Sequence, residues 1–509
     1  MQKYGHCRTG GKYMVEITGV LTLDPDIIDE GISRLLESGR LEMDVVAGLD
    51  ACYLPEYREA EAYIAQRIIA MTDETVPSPA KLEKLLNQIQ METDVVYADN
   101  QMAAIRTAAQ EKIVLITGGP GTGKTTTMAG ILDLFDKMGL KTQLAAPTGR
   151  AAKRLCECTG RDAQTVHRLL EAQFDPESGS MAFCRDDQNL LEIDALVIDE
   201  MSMVDVLLMK SILCALPEQC RLVLVGDPDQ LPSVGPGYVF SDLLRSEIIP
   251  TVRLTEIFRQ AEESLIVMNA HAVNHGQMPE LGNKKKDFFF MKRADAESVV
   301  QTIQELCSRR LPENMGIQPE DIQVLSPTKK GETGTVNLNR RLQSVLNPPQ
   351  DGKKEKKYGE FVFRVGDRVM QIRNNYDILW KKCDGAETGA GVFNGDIGVI
   401  ADIDHPGERM MIVFDDREAS YDFSLLSELE LAYAMTVHKS QGSEFSAVIM
   451  TSCPGPAKLL TRNVLYTALT RAKDILILVG NEAVTYAMVE NDCQQKRFSG
   501  LKLRLQKRV

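Results

Sequence analysis

The feature that most constrains this chain is a glycine-rich stretch, GGPGTGKTTT, which runs from Gly118 to Thr127. It directly follows the apolar segment IVLIT and precedes a helical pattern, the context in which G-x-x-x-x-G-K-T forms a phosphate-binding loop. Its glycines let successive backbone N–H groups turn towards a phosphate at the helix N-terminus. A glycine-rich structural turn is the alternative. The stretch therefore predicts a strand–loop–helix unit of an α/β fold that binds a nucleotide.

Short apolar runs alternate with helical patterns from about residue 96, as expected for parallel strands that are buried on both faces. The first series reads KIVLITG, TQLAAPT, ALVIDEM and RLVLVGD, and a second series reads DIQVLSPT, EFSAVIMTS and DILILVGN. Between parts of the second series, Gly-rich turns separate alternating strands, which is the pattern of a small β-barrel. We therefore predict two α/β domains with a barrel inserted into the second.

The segment before the first α/β domain is predicted to be helical and winged-helix-like. Amphipathic helix patterns flank MDVVAGLDACYL, which resembles a short two-stranded wing. A plain helical cap on the next domain is the alternative. The expected domains are 1–95 for this region, 96–248 for the first α/β domain, 249–359 and 428–509 for the two parts of the second, and 360–427 for the barrel.

Composition excludes several classes of protein. The chain has 509 residues, of which 44% are hydrophobic and 26% charged, so disorder is not its main state. Its apolar runs fall far short of the ~18 residues of a membrane span, and no secretory signal is visible, so we expect a cytoplasmic protein. The 11 cysteines are scattered without C-x-x-C spacing, which argues against a disulfide framework or a zinc site. A net charge of −14 argues against duplex binding by bulk charge but does not exclude a local basic channel.

The residues around the glycine-rich loop suit phosphoryl transfer. Lys124 would reach the β- and γ-phosphates, and the hydroxyl of Thr125 would bind Mg²⁺. Asp199, at the end of a buried strand in ALVIDEMSMVD, would hold Mg²⁺ through water, and Glu200 beside it would deprotonate the attacking water. Gln230, in GDPDQLPSVGPG, would sense the γ-phosphate. The acidic pair favours a hydrolysing motor, although a P-loop kinase stays open on these residues alone.

Phosphoryl transfer also needs positive charge on the migrating group. Arg259 in LTEIFRQ and Arg471 in YTALTRAK, both in the second α/β domain, are the candidates. Arginines from one domain that face the loop of the other would couple hydrolysis to domain closure. A surface ion pair is the alternative for each arginine.

Two histidines have a spacing typical of metal ligands. His271 and His275 lie in HAVNH, which lacks the glutamate of H-E-x-x-H. We therefore predict a pair on a helix surface and no zinc site.

The chain resembles superfamily 1 helicases, and in detail the stand-alone RecD-like group, through motifs that occur in the same order. They read QMAAI, GGPGTGKTTT, LAAPTGRAAKRL, TVHRLL, VIDEMSMVD, GDPDQLPSVGPG, LTEIFRQ, TVHKSQGSEF and YTALTRAK. The resemblance covers about 100–480 and implies two RecA-like P-loop domains with parallel sheets, an SH3-like β-barrel insertion and a winged-helix-like N-terminal region. Longer members carry further N-terminal domains ahead of the region where this chain begins.

The resemblance also implies roles for individual residues. Gln101 would read the adenine edge, Phe258 would stack on adenine, and Glu444 would lie near the ribose. The remaining nucleotide-binding residues would be Gly118, Gly119, Pro120, Gly121, Thr122, Gly123, Lys124, Thr125 and Thr126. The residues that contact a single strand, through phosphate and sugar and without reading sequence, would be Pro147, Thr148, Arg150, Thr165, His167, Thr436 and His438. A β-hairpin at 171–185 would be the pin that splits the duplex, with an ordinary surface hairpin as the alternative.

The function that this resemblance implies is a Mg²⁺-dependent ATPase that moves 5′ to 3′ along single-stranded DNA and separates the duplex ahead of it. Its partners would be single-stranded DNA, duplex junctions and other repair or replication proteins, and the family expectation is a monomer without a membrane partner. The alternatives are an RNA helicase of the same superfamily, the motor half of a conjugative relaxase, and a nucleotide-gated binding module with slow hydrolysis. No H-x-H occurs among the six histidines, which argues against nicking by this chain. The presence of Glu200, Arg259 and Arg471 argues against slow hydrolysis.

Overall fold

The structure, a computed structural model, describes residues 6–8, 25–46, 48–74, 76, 81–93, 95–175, 180–258, 263–282, 287–492 and 497–508. Within these ranges, no helix has both the length and the apolar character needed to cross a membrane.

The N-terminal region combines helices with a small antiparallel sheet. In chain order it contains β1 (His6–Arg8), α1 (Pro25–Glu37), β2 (Glu42–Val46), β3 (Leu49–Tyr53), α2 (Pro55–Asp73) and α3 (Leu82–Thr93). The strands pair in the order β1-β3-β2, so the expected hairpin gains a third strand. Proline in the first turn of α2 suits a helix start, where the missing N–H costs no hydrogen bond. The winged-helix interpretation stays a prediction.

The first α/β domain is built on a parallel sheet. Its elements are α4 (Asp99–Gln110), β4 (Ile113–Gly118), α5 (Lys124–Lys137), β5 (Thr142–Ala146), α6 (Gly149–Thr159), β6 (Ala163–Thr165), α7 (Val166–Leu169), β7 (Ala172–Asp175), β8 (Ser180–Phe183), β9 (Ala195–Ile198), α8 (Val206–Ala215), β10 (Arg221–Gly226), α9 (Val239–Ser246) and β11 (Thr251–Leu254). The sheet has the order β11-β4-β10-β9-β5-β6. Strands β9 and β10 are buried along their whole length, because helices cover both faces of the sheet.

The chain then enters the second α/β domain and leaves it again for antiparallel structure. The first part contains α10 (Leu265–Asn274), β12 (Phe288–Lys292), α11 (Ala296–Glu305), α12 (Leu311–Met315), β13 (Ile322–Ser326) and α13 (Thr335–Leu346). The insertion contains β14 (Glu355–Tyr358), β15 (Phe361–Arg364), β16 (Arg368–Gln371), β17 (Asn375–Lys382), β18 (Thr388–Val392), β19 (Ile397–Asp404), β20 (Arg409–Phe414), β21 (Arg417–Asp422) and β22 (Leu429–Leu431). Strands β14 and β15 form a hairpin, and the others form one sheet in the order β18-β17-β21-β20-β19-β16-β22.

The second domain is completed by β23 (Ala434–Thr436), β24 (Phe445–Ser452), α14 (Arg462–Leu469), β25 (Ala472–Gly480), α15 (Glu482–Glu490) and α16 (Leu501–Lys507). Its parallel sheet has the order β12-β25-β24-β13-β23. Strand β12, which the sequence did not predict, is an edge strand of this sheet. Helix α16 packs against α9 of the first domain and against α2 of the N-terminal region. Two parallel sheets with an antiparallel insertion confirm the predicted architecture.

Candidate active site

The glycine-rich loop after β4 has the geometry of a phosphate cradle. Gly121 and Gly123 have φ angles of 73° and 76°, in the left-handed region that favours glycine. Lys124 opens α5, and its Nζ donates to the carbonyl oxygens of Gly118 and Gly119 at 2.6 and 2.9 Å. The ammonium group is therefore held against the loop at a helix N-terminus, where a phosphate would be attracted.

The threonines of the loop take different positions. The buried Thr122 donates its hydroxyl to the carbonyl oxygen of Gly119 at 2.9 Å, which closes the loop on itself. Thr125 and Thr126 lie in the first turn of α5, Thr125 half-buried and Thr126 exposed.

Two residues assigned to the adenine base lie at the same glycine. Gln101 is buried in α4, where its Nε2 donates to the Gly123 carbonyl oxygen at 3.2 Å and its Oε1 accepts from the Ala98 N–H at 3.0 Å. A Cβ on Gly123 would lie 2.3 Å from Gln101 Nε2 and 2.8 Å from Phe258 Cε2. The structure thus brings Gln101 and Phe258 together beside the loop. Their contact with adenine stays a prediction.

Two carboxylates follow β9. Oδ1 of Asp199 accepts from the N–H of Glu200 at 2.8 Å, and Glu200 has a φ of 54°, which is uncommon for a residue other than glycine. Burial and then the charge of Glu200 raise the pKa of Asp199 to about 6. A divalent cation would relieve this repulsion, and oxygen donors are the ligands that Mg²⁺ prefers. The Asp199 carboxylate and the Thr125 hydroxyl therefore fit the predicted Mg²⁺ in their chemistry.

A further acid, which the sequence analysis missed, follows β10. Asp227 is 1% exposed, and its Oδ2 accepts from the hydroxyl of Tyr466 at 2.6 Å. Burial raises the pKa of Asp227. Because Tyr466 belongs to α14, this hydrogen bond joins the first sheet to the second domain. Asp227 could have been identified by its position, since it ends a buried parallel strand as Asp199 does, but Tyr466 carries no such signal.

Arg471 reaches the first domain from the second. Only 2% of it is exposed, which excludes the surface ion pair. Its Nη2 donates to Gln230 Oε1 at 2.9 Å, and its Nη1 lies 4.0 Å from Glu200 Oε1. Its Nε donates to the Thr467 carbonyl oxygen, near the end of α14, at 3.2 Å. The other predicted arginine, Arg259, lies outside the described residues.

The prediction of a surface pair is wrong for His271. Its Nε2 lies 3.1 Å from the carbonyl oxygen of Pro120, and a Cβ on Gly119 would lie 2.9 Å from its Cε1. His275 is exposed, as predicted. Helix α10 packs against the glycine-rich loop of the other domain, a contact that the helix pattern alone does not reveal. Among the described residues, no group of three or more His, Cys, Asp or Glu side chains suits a metal ion.

Glu444, assigned to the ribose, pairs with a basic residue that the sequence analysis missed. Arg154 of α6 places its Nη2 2.6 Å from Glu444 Oε1 and its Nη1 3.8 Å from Glu200 Oε1. Arg154 thus lies between a carboxylate of its own domain and one of the second domain. The ribose contact of Glu444 stays a prediction.

The residues assigned to a single strand occur on both domains. Thr148, which follows the half-buried Pro147, caps α6, and Thr165 caps α7; each hydroxyl accepts from a backbone N–H three residues later. Thr436 ends β23, and His438 is exposed in the next turn.

Arg150 and His167, also assigned to the strand, pack against aromatic rings of the protein. Arg150 lies 5.3 Å from the centre of the Phe445 ring, and its Nη1 lies 3.4 Å from Ser443 Oγ. The ring of His167 packs against that of Phe183, with 5.8 Å between centroids. Phe183 ends the β7–β8 hairpin, so the predicted hairpin is present. Its turn, 176–179, lies outside the described residues.

Three family models match separate parts of the chain. An AAA domain matches residues 101–236, an ATP-dependent RecD-like DNA helicase SH3 domain matches 338–414, and a UvrD-like helicase C-terminal domain matches 431–479.

Whole-chain comparisons find further similarity. The ATP-dependent RecD2 DNA helicase of Deinococcus radiodurans is 33% identical over 470 residues, which cover 88% of this chain and 59% of that protein. The RecBCD enzyme subunit RecD of Mycolicibacterium smegmatis is 32% identical over 444 residues, which cover 80% of this chain and 75% of that subunit. Among solved structures, Bacteroides Pif1 bound to ssDNA matches with a TM-score of 0.45 and 20% identity, over 75% of this chain and 92% of that one.

Proposed function

We propose that this chain, which belongs to the RecD-like family of superfamily 1 helicases, is an ATP-dependent DNA helicase that couples hydrolysis between its two α/β domains to movement along single-stranded DNA. The observation that carries the proposal is the position of Arg471. This arginine of the second domain hydrogen-bonds Gln230 of the first and lies 4.0 Å from Glu200. Hydrolysis on the loop would therefore depend on how the two domains sit against each other.

Each residue has a role in hydrolysis that follows from its chemistry. Lys124 and the loop N–H groups would bind the phosphates. Thr125 and Asp199 would hold Mg²⁺, which when bound supplies positive charge to the phosphate oxygens. Glu200 would accept the proton of the attacking water. Arg471 would stabilise the charge of the migrating phosphoryl group, a contribution worth about 100- to 1,000-fold for one preorganised donor.

The coupling would use the hydrogen bonds that cross between the domains. The Tyr466 hydroxyl donates to Asp227, and His271 lies against the Pro120 carbonyl oxygen of the glycine-rich loop. ATP would favour the closed arrangement in which these contacts form, and loss of the γ-phosphate would weaken them. Opening and closing would then alternate the grip on the strand.

The strand would lie across both domains, held by Thr148 and Thr165 of the first and by Thr436 and His438 of the second. Hydroxyl contacts to phosphate and sugar grip any sequence. The resemblance favours movement 5′ to 3′ as a monomer, with the β7–β8 hairpin at the duplex junction. Repair or replication proteins would be further partners.

The test is the ATPase rate with and without single-stranded DNA or RNA at a stated salt concentration, with Lys124→Ala as the blank. Strong stimulation by DNA alone is the expected result. Stimulation mainly by RNA would identify an RNA helicase instead. Equal turnover with and without a strand would contradict the coupling and favour a nucleotide-gated binding module.

Polarity requires a separate experiment. Duplexes with a 5′ or a 3′ single-stranded tail, and a blunt duplex as control, are offered with ATP. We expect unwinding of the 5′-tailed duplex, and preference for the 3′ tail would contradict the proposed direction.

A further inference from the structure

Helix α6 packs along a short segment of the second domain, residues 442–445, which leads into β24. A Cβ on Gly442 would lie 2.7 Å from Thr148 Oγ1, so the backbone of this segment passes closely over the start of the helix. Two residues further on, Arg150 lies over the Phe445 ring. The helix that begins with proposed strand contacts is therefore also the helix on which the 442–445 segment rests.

Arg154, four residues after Arg150, lies between two carboxylates. Its Nη2 is 2.6 Å from Glu444 Oε1, within hydrogen-bond distance, whereas its Nη1 is 3.8 Å from Glu200 Oε1, beyond it. Glu200 is 6% exposed, and its other arginine neighbour, Arg471, is 4.0 Å away. Neither arginine hydrogen-bonds Oε1 of Glu200 in this arrangement, so that oxygen stays available to accept from a water molecule.

We propose that Arg154 is a positioning residue that regulates hydrolysis by exchanging partners between Glu444 and Glu200. When the domains are closed, Glu444 holds the Arg154 guanidinium and leaves Glu200 able to orient water. When the 442–445 segment moves away with the second domain, the guanidinium turns to Glu200 and occupies its carboxylate. Hydrolysis is then suppressed in the open state.

The physical reason is that a largely buried guanidinium is stable only when it is paired with a carboxylate. Arg154 is two-thirds buried, where the loss of one partner is costly unless a second replaces it. Glu200 is the second carboxylate within reach, on the same domain, and stays in place when Glu444 leaves. Because α6 also carries Thr148, a strand seated at the helix start would favour the closed packing. This inference rests on the proposed function, since it explains how a strand would stimulate the ATPase.

The first test is Glu444→Gln, which removes the competing charge from a side chain that is a third exposed and therefore tolerant of change. The strand-stimulated kcat should fall about 3- to 10-fold, the size of an ordinary coupling change, while KM for ATP stays within about 2-fold. If Glu444 acted through the ribose instead, KM would rise and kcat would change little.

The second test is Arg154→Gln, which removes the residue that suppresses Glu200. The strand-free kcat should rise about 3- to 10-fold, so that the ratio of stimulated to basal rate falls. Arg154→Lys should restore part of that ratio, because it keeps the charge. When Glu444→Gln is added to Arg154→Gln, neither ATPase rate should change further, since Glu444 acts through Arg154.

The matched control is Lys153→Gln on the same helix, because Lys153 is half exposed and pairs with Asp415. It should leave both rates unchanged, and the melting temperature of every variant reports folding. If the strand stimulates the wild-type enzyme, and both Arg154→Gln and Glu444→Gln keep the wild-type ratio of stimulated to strand-free rate, the inference is overturned and the proposed function stands. A wild-type enzyme without stimulation would overturn the proposed function and the inference with it.

Discussion

The two parallel sheets contribute opposite ends of their strands to the same site. In the first sheet the glycine-rich loop, Asp199 and Asp227 follow the carboxyl ends of β4, β9 and β10. In the second sheet Glu444 and Arg471 precede the amino ends of β24 and β25. Carboxyl ends lead into helix N-termini, which attract phosphate, whereas the amino end of β25 follows the C-terminus of α14, where a cation is favoured.

This difference indicates a division of labour between the domains. The first domain presents the phosphate cradle and the carboxylates, and the second presents an arginine, a tyrosine and a histidine to them. Two polar contacts across the boundary, Tyr466 with Asp227 and Arg471 with Gln230, are buried, and their hydrogen bonds compensate for the cost of burying these groups.

Removal of the loop lysine should have the largest effect. Lys124→Ala deletes the ammonium group from the phosphate cradle, and the ATPase kcat should fall at least about 1,000-fold. Lys137→Ala, at the other end of the same helix, is the control. The ammonium group of Lys137 lies 2.6 Å from Glu92 Oε2 and takes no part in the loop. Turnover of Lys124→Ala within about tenfold of the wild type would show that the first sheet does not hold the nucleotide.

Removal of the second domain's arginine should affect turnover more than binding. Arg471→Gln should lower kcat about 100- to 1,000-fold and leave the Kd for ATP nearly unchanged, because the charge is needed mainly in the transition state. Arg462→Gln is the control at the start of α14, the helix that Arg471 follows, since its Nε donates to the Val489 carbonyl oxygen at 2.8 Å. A large loss of affinity with kcat retained would mean that the second domain binds nucleotide and does not complete the chemistry.

The C-terminal segment, which fastens the second domain's chain end to the N-terminal region, should give pH-dependent stability. Glu61 of α2 accepts from Ser499 Oγ at 2.9 Å and from the Gly500 N–H, and burial raises its pKa from 4.5 to about 7. The folded chain therefore binds the proton of the Glu61 carboxyl group more tightly than the unfolded chain does. The resulting stability is complete below about pH 4.5 and is lost as the pH rises through about 7, by about 3 kcal/mol in total.

Denaturant unfolding at several pH values checks this prediction. Glu61→Gln should flatten the dependence, while Glu59→Gln, which alters an exposed partner of Lys210, should keep it. Part of the slope should remain in Glu61→Gln, because burial also raises the pKa of Asp242 to about 6. A free energy of unfolding that rises between pH 5 and pH 8 in the wild type would contradict the assignment.

The smallest effect should come from one hydrogen bond across the boundary. Tyr466→Phe removes the hydroxyl that donates to Asp227, and the free energy of unfolding should fall by about 1 to 2 kcal/mol. Tyr486→Phe removes a hydroxyl that bonds Glu482 within one helix of the second domain, and it should cost less. Equal losses in the two variants would show that the boundary contact adds nothing to stability.

Local features of both sheets could be predicted from the sequence. The loop from Gly118 to Lys124, the acidic pair after β9 and the buried strands follow from patterns within about ten residues. Such patterns depend on backbone geometry and on alternation of apolar residues, which neighbouring residues largely decide. Strand β12 was missed, and His271 was assigned to a surface, because each depends on packing between distant segments.

Local sequence patterns were enough to predict the strand–loop–helix unit, the two α/β domains with their β insertion, and Lys124, Asp199 and Glu200 as a group of phosphate-site candidates. The residues of the second domain that meet this group became known from the folded chain. Tyr466 and Asp227 are 239 positions apart, and Arg471 and Gln230 are 241 apart. Contacts over such separations arise when the strand ends of two domains pack against each other, and no local pattern records which side chains that packing brings into hydrogen-bond distance.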